Sequence, residues 1–548
     1  MAAALLGVPG IQSQTQFFNA QGTRTATDFK RFVQHEYGMY IQDSWKARPN
    51  LTIEYGMRWE FNGVPFERGG NFSNLLNQQP WNPAPITFQT VGPGTGRQIY
   101  RDDYHDFEPR LGLAWDPFNN GKTSFRAGYG IFHDRVFGNL FGNLRGDPPF
   151  IAGIQNFPNN DFSNGVGPLV TLANLRPPAT QAAPSASVPD GSLLTGIVIL
   201  DPNLKTPYTQ AWNAGIQRDL GHGMVLEVNY VGSGSHRIFR EVDGNPPQPA
   251  LVNAAHASGT LPLTLSGGTL RITPLIGLPQ VTGNLAFEEP ALLKSIGNAT
   301  YNGLQSVFHK RFSQGVDFQA AYTWSHAIDD ANDPLVSPGG NRNIARNSFN
   351  LKEERGNSDF DLRHRLVANY VFQLPIGPGH AHFSRGVGSR VLGGWELAGL
   401  STFQSGHPMD IYSSRDSEYT GLTNRPDLVG NPAIPPGAPR NEIGPPITAF
   451  KLQPFGRPGN LGRNTFTGPS YYDTDASLIK NTQIKERLDL QFRAEVFNIF
   501  NRIQFDQLGT PGNTLSSPGT FGQVFDTVSQ PDGTTSARQI QLALKLLF

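Results

Sequence analysis

Four stretches of the chain combine residue types and spacings that could do chemistry. Asp329, Asp330, Asn332 and Asp333 form an acidic cluster, the kind of oxygen-rich set that could hold a hard cation. It lacks the ligand spacing of a calcium loop and the glycine on which such a loop turns, so the favoured reading is a solvated loop. Asp359, Asp361, Arg363, His364 and Arg365 bring a histidine close to two carboxylates. A His–Asp catalytic pair is conceivable there, but charges at the rim of a sheet explain the run more simply. No Ser–His–Asp order can be named without geometry. Gly128 and Gly130 in R-A-G-Y-G have the look of a phosphate loop. No helix follows them and they fall inside a strand pattern, where glycine lets a curved sheet bend. Asn298-Ala299-Thr300 has the form of a glycosylation acceptor. No catalytic, cofactor-binding or metal-ligating set is assigned, and the expectation is a protein that is not an enzyme.

The elements that carry these residues are strands. The last one, Arg538 to Phe548, reads R-Q-I-Q-L-A-L-K-L-L-F. Ile540, Leu542, Leu544, Leu546 and Phe548 share one face, and Gln539, Gln541, Ala543, Lys545 and Leu547 the other. This is period-two alternation over about ten residues, the length of a tilted strand crossing a bilayer. Hairpins of the same kind recur upstream: 37–45 with 51–61, 109–115 with 124–132, 210–218 with 224–231, 303–312 with 316–325, 364–374 with 395–404, and 472–479 with 487–497. Short breaker-rich links alternate with long polar ones. That asymmetry matches an outer-membrane barrel, with short periplasmic turns and long extracellular loops. Tyr55, Trp59, Tyr129, Tyr230, Tyr322, Trp324 and Tyr370 fall on apolar faces near strand ends, as aromatic girdles require. Glu54, Arg58, Glu60, Arg126, Glu227, Arg493 and Glu495 fall on the others, which suits a wet lumen. A soluble sandwich or propeller also alternates, but loops of tens of residues at every second connection are unusual in it.

Composition agrees. Only 16% of the 548 residues are charged, below the roughly 25% of soluble domains, while 11% are aromatic. Net charge is zero, so nothing points to nucleic acid. Cysteine is absent, which removes disulfide and thiolate chemistry. A mean hydropathy of −0.36 and the lack of any run of about 18 apolar residues exclude a membrane helix but not a barrel. The opening MAAALLGVPGIQSQTQFF has no Lys or Arg before its short apolar stretch and does not read as a signal peptide.

The phrases at 40–60 (YIQDSWKARPNLTIEYGMRWE), 109–117 (PRLGLAWDP) and 125–132 (FRAGYGIF) resemble TonB-dependent receptors, and more closely their Oar-like subgroup. So do YVGS at 230–233, AYTWSHAID at 321–329, DLRHRLV at 361–367, LGGWEL at 392–397 and FRAEVFNIFN at 492–501. ALLGVPG at 4–10 is similar to a segment inside such a barrel. The resemblance implies an all-β chain forming an antiparallel transmembrane β-barrel over residues 1–548. It would be N-terminally truncated, without plug or signal peptide, and hold about 14 of the 22 strands usual in that family. The thirteen strands above then need at least one more, expected within 25–34 or 11–18. The implied function is ligand binding and uptake across the cell outer membrane. The implied partners are outer-membrane lipid, the barrel assembly machinery reading the strand that ends in Phe548, and a TonB system only if a plug is supplied. In a bacterial protein the Asn298 acceptor pattern means nothing. The alternative is a structural or adhesive surface protein that binds partners through its long loops, and a third reading is a secreted β-rich carbohydrate-active enzyme.

Overall fold

The computed structural model describes residues 12–77, 86–136, 138–156, 182–188, 197–244, 291–313, 315–331, 344–377, 385–413, 415, 417, 424–485, 488–528 and 537–548. Thirteen strands hydrogen-bond in chain order as one antiparallel meander. They are β1 (Glu36–Arg48), β2 (Leu51–Asn62), β3 (Asp106–Trp115), β4 (Thr123–His133), β5 (Tyr208–Gly221), β6 (Met224–Asp243) and β7 (Ala291–Ser313). The rest are β8 (Val316–Asp329), β9 (His364–Gln373), β10 (Trp395–Gln404), β11 (Tyr471–Lys485), β12 (Leu488–Phe497) and β13 (Gln539–Leu547). All thirteen strands read directly from the alternation are present, in the expected order.

The register carries each apolar face across the whole sheet. Leu544 opposes Phe492, Leu397 opposes Leu478, Tyr322 opposes Leu366, and Leu113 opposes Ile53. Because side chains alternate strictly, one such pairing fixes the face of every other residue on the strand. The apolar face is solvent-free only if lipid covers it: Leu542, Leu544 and Ile540 are 67%, 68% and 66% exposed. Trp45 and Trp115 sit on it beside the short turns and Trp59 and Trp324 near the long loops, giving two aromatic levels. Tyr55, Tyr129 and Tyr322 lie mid-strand rather than near an end, Tyr55 and Tyr129 both opposite Leu111.

Two glycines make room for aromatic rings on this face. A Cβ at Gly232 would meet the indole of its cross-strand partner Trp212, and one at Gly399 would meet the ring of its partner Tyr370. Each ring thus covers the bare backbone opposite, a device that pins register.

Three features differ from expectation. The fourteenth strand is not in the meander. Gln12–Phe18 is a strand, but it pairs with Ile151–Asn156 and Arg24–Thr25 in a separate three-stranded sheet, and Phe32–Val33 pairs with Phe66–Glu67. Gln12, Ser13, Gln14, Thr15 and Gln16 are polar on both faces, so the segment offers lipid nothing. The segment at 4–10 lies outside the described residues. Second, β6 and β7 run to 20 and 23 residues, about twice the 9–11 that cross a bilayer. Their outer halves form a ribbon beyond the bilayer, set off by a register shift near Arg237, whose φ is 57°. Third, the 374–394 link, on the side of the short turns, carries a helix, Gly386–Leu392.

Among the described residues β1 pairs only with β2 and β13 only with β12. With thirteen strands in a meander, these two edge strands run the same way. Direct contact between them would be parallel, so antiparallel closure takes an odd number of further strands.

The topology carries a simple prediction. In a chain without cysteine, Asn120→Cys in the β3–β4 turn is expected to stay unlabelled by an impermeant maleimide on intact cells. Ala433→Cys, exposed in the β10–β11 loop, is expected to label. The reverse pattern would invert the topology.

Candidate functional site

The face opposite the apolar one is polar. Near the long-loop end of β2–β4, Glu108 is 3% exposed and accepts from Arg110 Nη2 at 2.9 Å and from the His133 backbone N–H at 2.8 Å. Arg58 pairs with Glu60, and its Nε stands 3.9 Å from Glu108. His133 lies between Asp106 (3.6 Å) and Glu108 (3.7 Å). Across the sheet a cavity of about 290 Å³ is lined by Asp317, Asn369, Asp475, Ser477 and Glu495. These groups come from neighbouring strands of one face, so register alone brings them together. They can bind polar solutes and water, and their arrangement contains no nucleophile held by a base.

Among the described residues, three hydrophobic clusters sit in the long loops. Phe72, Val91, Ile99, Leu144, Leu200, Leu204, Phe239 and Leu293 pack into one cluster. Ile86, Phe88, Ile197, Ile199, Val242 and Leu292 form a second, and Ile411, Phe450, Leu461 and Phe521 a third. The outer half of the β6–β7 ribbon feeds the first two, and Val198–Leu200 adds to its edge parallel to Ala291–Leu293. This burial gives the extracellular segments a fixed shape instead of leaving them solvated.

A buried ionic clasp then ties two loops together. Arg425 donates from Nη2 to Glu354 at 2.7 Å and from Nε to Asp410 at 3.3 Å. Arg346 donates to Glu353 at 3.0 Å. Asp410 also accepts the Asn464 backbone N–H at 2.5 Å. Arg463 pairs with Asp329, and the Asn464 and Asn357 side chains each donate to the other's carbonyl, at 2.9 and 3.0 Å. Burial pushes the Glu354 carboxyl up, but Arg425, Arg346 and Arg240 outweigh it and hold it below its ordinary value. For Asp410 burial prevails over Arg425 and the Asn464 N–H, and its carboxyl is raised.

The residues singled out by type and spacing fare as follows. Asp329 is not solvated: it is 7% exposed and held by Arg463. Arg463 reaches it from a loop 134 residues away, a contact no local spacing announces. Asp330 accepts the Asn298 backbone N–H at 2.6 Å, while Asn332 and Asp333 lie outside the described residues. His364 meets the Tyr322 hydroxyl at 2.9 Å, whereas Asp361 accepts from Ala327 N–H at 2.7 Å and from Arg363 at 3.3 Å. The conceivable His–Asp pair is therefore not formed. Asp359 accepts from the Asn464 side chain. Gly128 and Gly130 lie within β4, as their strand reading requires, and a Cβ at Gly128 would meet the Asn213 side chain. Asn298 lies within β7, its side chain bonded to His236 at 3.0 Å. Among the described residues no group of three or more His, Asp or Glu is disposed to hold a metal ion. The clasp itself was invisible in sequence, because its members stand alone among polar loop residues. The loop clusters left a fainter trace, in apolar runs such as Ile197-Val198-Ile199-Leu200.

Similar solved structures include the outer membrane transporter YddB from Escherichia coli, at 11% identity and TM-score 0.42, covering 97% of this chain and 48% of that one. Another is the siderophore receptor PiuA from Acinetobacter baumannii, at 9% identity and TM-score 0.42, covering 98% and 50%. A third is the pyoverdine outer membrane receptor FpvA from Pseudomonas aeruginosa, at 11% and 0.42, covering 95% and 43%. The chain spans about half the length of each. No curated protein matches it. The family described as "Outer membrane beta barrel domain" matches residues 1–541, and the chain, a protein of the outer membrane, belongs to that family.

Proposed function

We propose that the chain is the barrel portion of a TonB-dependent receptor of the Oar-like kind, which binds a ligand on its folded loop layer and passes it across the outer membrane. The observation that carries this reading is the combination of an apolar outward face, a polar inward face and extracellular loops built around their own buried clusters. A simple pore has no need of a clasped, close-packed loop layer. A receptor does, because preorganised loops bind with less ordering cost. No covalent chemistry enters. Energised uptake acts through a plug, so a TonB system belongs to the proposal only with a plug supplied to the lumen. Phe548, the aromatic residue that follows β13, is proposed as the feature read by the barrel assembly machinery.

The test expresses residues 1–548 behind an export signal and follows entry of radiolabelled sucrose. By itself the chain is expected to give, at most, entry that is indifferent to collapse of the proton-motive force. With a plug fused in frame, entry is expected to become dependent on it. Energised entry by the chain alone would contradict the plug requirement. Stable insertion with no passage in either form would contradict the transporter and favour the adhesive reading.

A further inference from the structure

The helix Gly386–Leu392 leaves three large apolar side chains in the open: Val387 is 79% exposed, Val391 58% and Leu392 43%. Val387 and Val391 are one turn apart and share a face. The other side of the helix is docked. Ser389, between Val387 and Val391 in sequence, is buried. Gly394, at φ 74°, lies against Asn481, where a Cβ would overlap the Asn481 carbonyl. The Asn481 N–H in turn donates to the Gly394 carbonyl at 2.9 Å. The helix is therefore held at the short-turn end of β10 and β11 and is not a loose loop.

Its place relative to the lipid face is set by Trp395. This residue begins β10 on the apolar face, in step with Leu397, and its indole Nε1 donates to the Val391 carbonyl at 3.1 Å. Lys480, its cross-strand partner, stands 5.6 Å from the ring and donates to the Gly393 carbonyl. The polar cavity beneath, about 570 Å³, opens among Gln373, Ser389, Asn481 and Asp489. The apolar side chains thus extend the lipid-facing belt outward around Trp395, a tryptophan at the height where indoles mark the membrane–water boundary.

We propose that this helix is an interfacial anchor: Val387, Val391 and Leu392 lie in the phospholipid of the periplasmic leaflet, at the boundary of headgroups and acyl chains. Continuity with the lipid belt selects lipid over a protein as the occupant. A short helix with a docked polar side and a free apolar side is suited to lie in that plane. The anchor fixes the depth at which the β10–β11 end of the sheet rides in the bilayer.

The test uses the full chain reconstituted in phosphatidylcholine–phosphatidylglycerol vesicles, with cysteine at 387 or 391 carrying an environment-sensitive fluorophore. Heat-modifiable migration confirms that each variant is folded. Emission at both sites is expected to shift to the blue and to be quenched by lipid spin-labelled near the headgroup more than by lipid labelled at the chain end. Aqueous iodide is expected to quench little. A label at Ala433, in the extracellular loop layer, is expected to show the opposite pattern. Strong iodide quenching at 387 and 391 with none from lipid would overturn the proposal. So would protection from both quenchers that rises with protein concentration, which would assign the face to a second copy.

Discussion

Leu544→Arg is expected to prevent stable insertion of the chain, whereas Gln541→Arg leaves insertion intact. Leu544 lies at the middle of β13 on the face that opposes Phe492 and is 68% exposed in the absence of lipid. An arginine facing lipid near the midplane costs about 2–4 kcal/mol, or about 30- to 900-fold in the folding equilibrium. That is a large share of a total stability of about 5–15 kcal/mol. Gln541 is on the other face, directly opposite Glu495, where a cation is wetted and meets a carboxylate. The measurement is the fraction of heat-modifiable protein formed in vesicles across a urea series. Equal tolerance of both substitutions would show that the faces are wrongly assigned.

Arg425→Ala is the second large effect, and it is expected to act on the loops alone. The guanidinium is 5% exposed and is shared by Glu354 and Asp410, themselves buried. Removing it leaves Asp410 without its cation and Glu354 with only the more distant Arg346, 4.0 Å away. Breaking a buried pair in this way costs about 3–5 kcal/mol. The expected result is rapid cleavage of the 404–471 loop by protease in a variant whose barrel still migrates as a compact, heat-modifiable species. The mechanism also predicts partial rescue by combining Arg425→Met with Asp410→Asn, which removes the orphaned charge. Wild-type resistance in Arg425→Ala would show that the clasp does not hold the loop layer.

The strands and the candidate site differ in how far they could be read from sequence, for a physical reason. A lipid-crossing strand is decided by its own residues: Leu488, Leu490, Phe492, Ala494 and Val496 alternate with Asp489, Gln491, Arg493 and Glu495 because one side meets lipid and the other water. That signal is local, so all thirteen strands were legible. The loop layer is decided by contacts between distant segments. Phe72 packs with Leu200 and Leu293, and Arg425 meets Glu354 across 71 residues. Such partners have no period and no spacing, so loops that read as polar and solvated hold buried clusters. Asp329 shows the same limit in one residue, acidic and seemingly wet, yet closed over by Arg463. Gln12–Phe18 shows the converse: its length suits a strand, but polarity on both faces sends it to the loop layer. β10 is the instructive middle case. Its hydropathy alone would turn Leu400 toward lipid, while the register turns it inward opposite Asp475 and Asn369, and turns Ser401 outward. Ser401 is tolerable there because its hydroxyl accepts from Thr474 at 3.1 Å.

That inversion supplies the most direct measurement of the central claim, that the thirteen-strand sheet crosses the outer membrane with faces set by its register. Spin labels placed singly from Leu397 to Thr402 in the reconstituted chain report collision with oxygen, which concentrates in lipid, and with a water-soluble nickel chelate. The account predicts strict period-two alternation, with 397, 399 and 401 open to oxygen and 398, 400 and 402 open to nickel. Oxygen access at Leu400 together with nickel access at Ser401, or no alternation along the strand, would contradict it.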